Sequence, residues 1–291
     1  MREIDVHHLG HERVTCCWQV GDVLIDPGPE SSLSTLMDEI EDRAPEALLL
    51  THIHLDHAGG TGALVRAFPD VRVYVHELGA PHLIDPSRLV RSAARLYGEE
   101  NMGRLWGETV AVPEANIEVL RGGETVEGFR VAYAPGHASH HVTYLHEDSG
   151  WAFTGDVAGV RIDRDLPIVP PTPPPDIDIE AWLRSIDDVA SWDPAVLALT
   201  HFGAYADVET HLATIRDALR MQAEWARDLD HDTFIARRRE WVADAPVYEQ
   251  AAPAEQMWLG LERYWRKKAE RDRRTEPAAE RGARTASGGQ G

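Results

Sequence analysis

The 291-residue chain holds 49 acidic against 29 basic side chains, a formal charge of −20, and because seven basic and four acidic residues follow Arg266, residues 1–266 carry −23. A body this acidic repels phosphate backbones, which excludes nucleic acid as an expected partner. The two cysteines, Cys16 and Cys17, are adjacent and cannot form an ordinary disulfide, no run of ~18 apolar residues is present, and the N-terminus MREIDVHHLG lacks an apolar signal core, so a soluble cytoplasmic protein that does not bind membranes is expected.

The first third alternates strands and helices. Val14–Val20 and Asp22–Ile25 are β-rich runs split by Gly21, and Asp26-Pro27-Gly28-Pro29 ends them with turn residues. Ser34–Arg43 has helical spacing, and Ala47–Leu50 is continuously apolar, as befits a strand buried on both faces. A helix over Gly62–Phe68 and a strand over Val71–Val75 follow. Ser87–Tyr97 reads as a helix, and Ile117–Leu120, Phe129–Ala134, Val142–His146 and Trp151–Thr154 read as strands. The proline-dense stretch Pro167–Pro175 excludes regular helix or central strand and predicts an extended rim or linker. Ile179–Ser191 is a predicted helix and Ala195–Thr200 a strand, and amphipathic helices dominate from Val208 to Trp265. From about residue 270 apolar side chains are lacking and no packed structure is expected.

The chemistry is concentrated at strand ends. THIHLDH, residues 51–57, follows the apolar strand with three histidines and an aspartate, a donor set suited to zinc and also to iron or manganese. His52 and His54 can turn to one side of an extended loop, while Asp56 and His57 bend back at the next helix, so the stretch can serve two ions. APGH (134–137), FTGD (153–156) and LTHF (199–202) each place a His or Asp directly after another apolar strand, which aims ligands at one sheet edge. Surface or core histidines are the ordinary alternative, and the ordered recurrence of the pattern argues against it.

THIHLDH, PGH, TGD and THF, in this order and spacing, resemble the metallo-β-lactamase superfamily over about residues 1–205. The resemblance implies an α/β fold, a four-layer αββα sandwich over 1–205; the pattern of the remaining residues predicts a helical extension over 206–269 packing on it and a disordered tail over 270–291. The resemblance further implies His52, His54 and His137 on one metal ion, Asp56, His57 and His201 on a second, and Asp156 bridging both. Zinc is the first expectation, with iron or manganese as alternatives. Asp156 stands where β-lactamases proper usually carry cysteine, so the chain looks like the glyoxalase II, lactonase and arylsulfatase-like hydrolases. It departs from the common PGHTPGH motif with PGHASHH: His141 is expected to support Asp56 or another ligand, and His140 to point outward or reach the pocket.

Two ions that share a water lower its pKa and yield a hydroxide nucleophile, with Asp56 as the catalytic carboxylate orienting it. Cys16 and Cys17 read as buried apolar positions. Specificity is expected from Asp26–Pro29, His76–Asp85, Pro167–Pro175 and the helices after Val208. Among further residues His82, His140 and Tyr205 are candidate substrate contacts, Tyr205 as a donor to an oxyanion, whereas His7, His8, His11, His146, His211 and His231 read as surface residues. Trp182, Trp192, Trp225, Trp241, Trp258 and Trp265 read as core, the alternatives being an apolar pocket wall or a homodimer surface. The expected function is hydrolysis of a small ester, thioester, lactone or related substrate. A glutathione thioester would require cations, for which Arg237-Arg238-Arg239 is the candidate against a solvated helix face. The competing readings are an iron-dependent redox enzyme of the same fold, such as a persulfide dioxygenase, a nuclease, and a binding protein that has lost catalysis. His54 stands where diiron reductases carry glutamate, the charge opposes a nuclease, and all seven ligands are present.

Overall fold

The computed structural model describes residues 1–243 and 245–275. Two six-stranded sheets account for the β-structure. The first runs in chain order: β1 (Arg2–Asp5), β2 (Cys16–Val20), β3 (Val23–Ile25), β4 (Ala47–Leu49), β5 (Arg72–His76) and β6 (Ile117–Leu120). Its first three strands are antiparallel and β3 to β6 are parallel, with Ile25 opposite Leu49 and Leu49 opposite Tyr74. The second sheet comprises β7 (Thr125–Val126), β8 (Phe129–Tyr133), β9 (Val142–His146), β10 (Trp151–Phe153), β11 (Val196–Leu199) and β12 (Gly203–Tyr205), also adjacent in chain order. It is antiparallel apart from the β10–β11 pair.

Side chains alternate across the first sheet and separate two cores. Cys16, Trp18, Ala47 and Leu49 face the second sheet and join Phe129, Tyr144, Phe153 and Leu199. Cys17, Leu24, Leu48 and Val73 face the other way, onto Leu36, Ile40 and Leu64 of the covering helices. The second sheet is covered in turn by Ile186 and Val189 of the helix Ile179–Ser191 and by Leu212 and Ile215 of the helix Val208–Asp228. The result is the expected four-layer αββα sandwich with further helices at its C-terminal end. Both cysteines are free and buried.

At one end of the sandwich the sheets are hydrogen-bonded to each other. The Cys16 amide donates to the Thr200 carbonyl at 2.9 Å and the Val142 amide to the Thr51 carbonyl at 2.8 Å. The Tyr144 hydroxyl donates to the Leu50 carbonyl at 2.7 Å. The THIHLDH, PGH, TGD and THF loops all leave from this end.

The helices Ala80–Ile84 and Glu99–Trp106 and the strands β1 and β12 add to the predicted elements. The last helix, Ala254–Thr275, continues through residues 270–275, where no packed structure was expected; the remainder of that tail, 276–291, lies outside the described residues. This helix fits the proline-rich segment closely. Thr172 donates its hydroxyl to the Met257 carbonyl at 3.2 Å, and Gly260 lies where any Cβ would collide with the Thr172 carbonyl oxygen. Gly260→Ala is therefore expected to lower the free energy of unfolding by about 1–3 kcal/mol, as overpacking does, read as a lower urea midpoint at unchanged slope.

Candidate metal centre

Seven buried or half-buried ligand atoms converge at the joined end of the sheets. They fall into two groups, His52, His54, His137 and Asp156, and Asp56, His57 and His201, and within each the atoms lie within 4.8 Å of one another. In the first group His52 Nε2 and His137 Nε2 approach His54 Nδ1 at 3.0 and 2.9 Å, and His137 Nε2 lies 3.2 Å from Asp156 Oδ2. In the second, His57 Nε2 and His201 Nε2 are 3.2 Å apart and Asp56 Oδ2 is 3.3 Å from His201 Nε2. Donors held 2.0–2.1 Å from a tetrahedral zinc are ~3.3 Å apart, so both groups have the spacing of a ligand shell. The other oxygen of Asp156, Oδ1, lies 3.1 Å from His57 Nε2 and 3.6 Å from His201 Nε2. One carboxylate thus faces both groups.

The tautomers are set from behind. His57 Nδ1 donates to Asp26 Oδ2 at 2.8 Å, His137 Nδ1 to the Pro171 carbonyl at 2.8 Å and His201 Nδ1 to the Val14 carbonyl at 2.6 Å. His52 Nδ1 bonds the Thr51 hydroxyl at 3.1 Å. Each ring therefore turns Nε2, as a lone pair, toward the centre, and His54 alone offers Nδ1. The lone pairs of His57 and His201 consequently face each other, an arrangement that a cation between them relieves. Seven convergent donors, four of the five histidines among them with the outer nitrogen hydrogen-bonded, fit two metal ions.

Electrostatics divides the centre. Burial pushes the imidazoles of His52 and His54 down, His54 to about 4 with His137 adding to the effect; burial also lowers His137. These rings are neutral at pH 7 and ready to ligate. Burial acts in the same sense on His57 and His201, but Asp156 and Asp56 more than offset it and raise both. Burial opposes ionisation of Asp56 and Asp156 as well, and the facing histidines nevertheless hold both carboxyls well below the usual range. That half of the centre attracts positive charge.

Behind it lies Asp26, which accepts from the Thr51 amide (2.8 Å) and hydroxyl (2.7 Å), the Thr200 hydroxyl (2.8 Å) and His57. The Asp26–Pro29 turn, expected at the rim, is buried beneath the centre instead. His141 supports Asp156 and not Asp56: its Nε2 accepts from the Asp156 amide at 3.2 Å, and its ring stacks on His52 with centroids 4.8 Å apart.

In front is a cavity of about 960 Å³ that reaches Asp56, His54 and Asp156. His82 and His140 line it as expected, and burial pushes His140 down to about 3 with His54 adding to it. Tyr205 does not line it. Its hydroxyl donates to the Arg161 carbonyl at 2.7 Å, and the Arg161 guanidinium covers its ring, so it is no oxyanion donor. His211 is buried, donating to the Ala158 carbonyl at 2.8 Å, and is not a surface residue. Neither is His8, which lies in the cavity wall stacked on Trp106 with centroids 5.3 Å apart. His7 and Leu9 on either side of it have φ of 48° and 54°, the local strain that accumulates at working sites. Tyr97 meets Trp106 edge-on with centroids 4.9 Å apart and also lines the cavity; burial and the Asp56 carboxylate raise its phenol, which stays a donor. Sequence reasoning placed Asp26 at the rim and missed Tyr97 and Trp106 as parts of the site. Arg237–Arg239 does not line the cavity: Arg238 is buried in the protein, Arg237 lies over Trp225 and Arg239 pairs with Glu249. The six C-terminal tryptophans pack in or against the core. Asp26→Ala is expected to weaken metal binding ~10–100-fold by freeing His57 and Thr51, measured by competition titration with a chromophoric chelator.

The metallo-β-lactamase superfamily model matches residues 21–201. The metallo-β-lactamase fold-containing protein ST1585 of Sulfurisphaera tokodaii is 29% identical over 209 residues, covering 67% of this chain and 75% of that one. A hydroxyacylglutathione hydrolase of Hamiltonella defensa is 44% identical over 134 residues, 46% of this chain and 41% of the relative, so the chain spans well under half the length of that enzyme. Among solved structures, archaeal ST1585 superposes with a TM-score of 0.61 at 20% identity over 86% of this chain and 93% of that one. The structure of TTHA1623 in a di-iron-bound form gives 0.53 at 25% identity, covering 69% and 93%. With its motifs in order, its sheets in the same arrangement and its family model spanning more than half the sequence, the chain belongs to the metallo-β-lactamase superfamily.

Proposed function

We propose that the protein is a binuclear metal-dependent hydrolase of small ester, thioester, lactone or related substrates, acting in the cytoplasm and on neither nucleic acid nor membranes. Zinc suits the donors best, and iron or manganese is accepted by the same set. Asp156 carries the reading: its two oxygens face the two ligand groups separately, which is the geometry of a carboxylate shared by two ions. Relatives named hydroxyacylglutathione hydrolase support a thioester among the substrates, over less than half of this chain. Among the described residues no helix is long and apolar enough to cross a membrane.

Two divalent ions in this shell supply hydroxide at neutral pH and Lewis acidity toward a carbonyl. The residues of the chain do the rest. Asp56 places Oδ2 among the second group, and its side chain remains a quarter exposed to the cavity, so its carboxylate can accept a hydrogen bond from the nucleophile and orient it. Tyr97 and His140 border the space where the acyl group would sit, Tyr97 as a protonated donor. Thr51, Asp26, Val14 and Pro171 keep the histidine rings turned, so that little reorganisation accompanies the reaction.

Elemental analysis of purified protein is expected to find about two metal ions per chain. Asp56→Ala and His201→Ala are each expected to lower hydrolysis by at least ~10²-fold across a panel of lactones, thioesters and aryl esters. One iron per chain, no hydrolysis, and oxygen uptake with a sulfur substrate would establish the redox reading in its place.

A further inference from the structure

The cavity wall carries a charge that the rest of the molecule does not explain. Residues 1–266 hold −23, and many surface arginines pair with acids, as in Arg2–Glu39, Arg66–Glu108 and Arg121–Glu77, while Arg91, Arg164 and Arg184 stand as isolated exposed exceptions. Arg88, Arg95 and Arg104 line the cavity and are exposed, and among the described residues none of the three forms an ion pair; Arg104 reaches only the Asn101 side-chain oxygen, at 3.5 Å. The acids of the same wall are already engaged. Glu249 pairs with Arg239 and Glu262 with Arg266, Asp56 and Asp156 belong to the candidate metal ligands, and Asp176 keeps its charge while accepting from the Ser139 hydroxyl. Arg263 also lines the cavity without an ion pair, donating to the Pro175 carbonyl at 3.1 Å; Arg88, Arg95 and Arg104 are the unpaired guanidiniums carried by the helices Ser87–Tyr97 and Glu99–Trp106.

Beside them the wall is apolar. Trp106 stands between the stacked ring of His8 and the edge of Tyr97, and Leu89 and Leu96 continue the surface. Arg88 and Arg95 are seven residues apart on the helix Ser87–Tyr97, hence on one face and ~10 Å apart along its axis. Arg104 follows on the helix Glu99–Trp106, near enough to His8 that its charge acts on that ring.

We propose that this wall selects an amphipathic anion: an ester or thioester whose apolar part lies along Trp106, Tyr97 and Leu96 and whose carboxylate or phosphate is held by Arg88, Arg95 and Arg104. The proposal rests on the hydrolase reading and narrows it. Guanidinium presents a planar fork of donors matched to two oxygens of either anion. A local cationic wall also draws in a ligand that the acidic body otherwise repels. Neutral lactones and neutral aryl esters are then poor substrates, because they leave the arginines without a partner.

The test compares matched p-nitrophenyl esters of equal chain length ending in a methyl, a carboxylate or a phosphate group, with metal-loaded protein. The kcat/KM of the better anionic ester is expected to exceed that of the neutral one at least tenfold, and the larger of the two ratios names the anion. Arg88→Gln/Arg95→Gln and Arg104→Gln should each cut that ratio severalfold or more, chiefly through KM, and added salt should cut it in the unaltered protein. A ratio near one, or a ratio untouched by every substitution, overturns the anionic class and leaves the hydrolase reading standing. If no ester turns over, binding of 5-phenylvalerate and of phenylbutyl phosphate, followed by calorimetry, separates the two ideas. Affinity that falls tenfold in the arginine variants upholds the anion site while the hydrolase reading fails, and affinity that does not fall overturns the site.

Discussion

Everything at the metal centre hangs on the buried carboxylate of Asp26. A carboxylate removed from water costs several kcal/mol unless its lone pairs are used, and here four donors from two strand ends and one helix use them. Thr51 brings the end of β4, Thr200 the end of β11, and His57 the helix that follows the first motif. Asp26 itself closes β3 with φ of 50°, a turn conformation that aspartate tolerates better than most residues. One side chain thereby fixes two sheets and one ligand relative to each other, and through Thr51 it also governs the tautomer of His52.

The rest of the shell repeats this logic with backbone acceptors. The carbonyls of Val14 and Pro171 hold His201 and His137, and Val14 precedes β2 on the first sheet while His201 follows β11 on the second. Ligands are thus oriented across the sandwich. The proline-rich segment owes its position to this task as much as to the rim of the cavity: Pro171 touches the ligand, and Thr172 next to it is clasped by the last helix.

The fold and the seven residues that converge at the candidate centre were legible because each depends on local pattern. Apolar strands with a His or Asp at the next position are readable without knowing what they face, and PGH, TGD and THF announce themselves in the same way. The remainder depends on neighbours distant in sequence. Asp26-Pro27-Gly28-Pro29 has the composition of an exposed turn and gives no sign that Thr51 and Thr200 close over it. Tyr205 lies four residues after a ligand, yet β12 turns it toward Arg161. Arg237–Arg239 looks like one cationic patch, and the helix periodicity sends its three members in different directions, one of them into the core. His8, Tyr97 and Trp106 meet only because the long connection between β5 and β6 folds back over the loop after β1.

That connection is built unlike the sandwich. The helix Ser87–Tyr97 buries none of its residues fully and packs on the second core through the partly buried Leu89. An element held by so little buried surface opens locally at a small fraction of the free energy needed to unfold the sheets. A cavity wall of this kind can open locally without disturbing the buried histidines, and side chains on it can be exchanged at little cost to stability. The buried histidine cluster and the wall of the cavity thus belong to parts of one chain that are held by different amounts of packing.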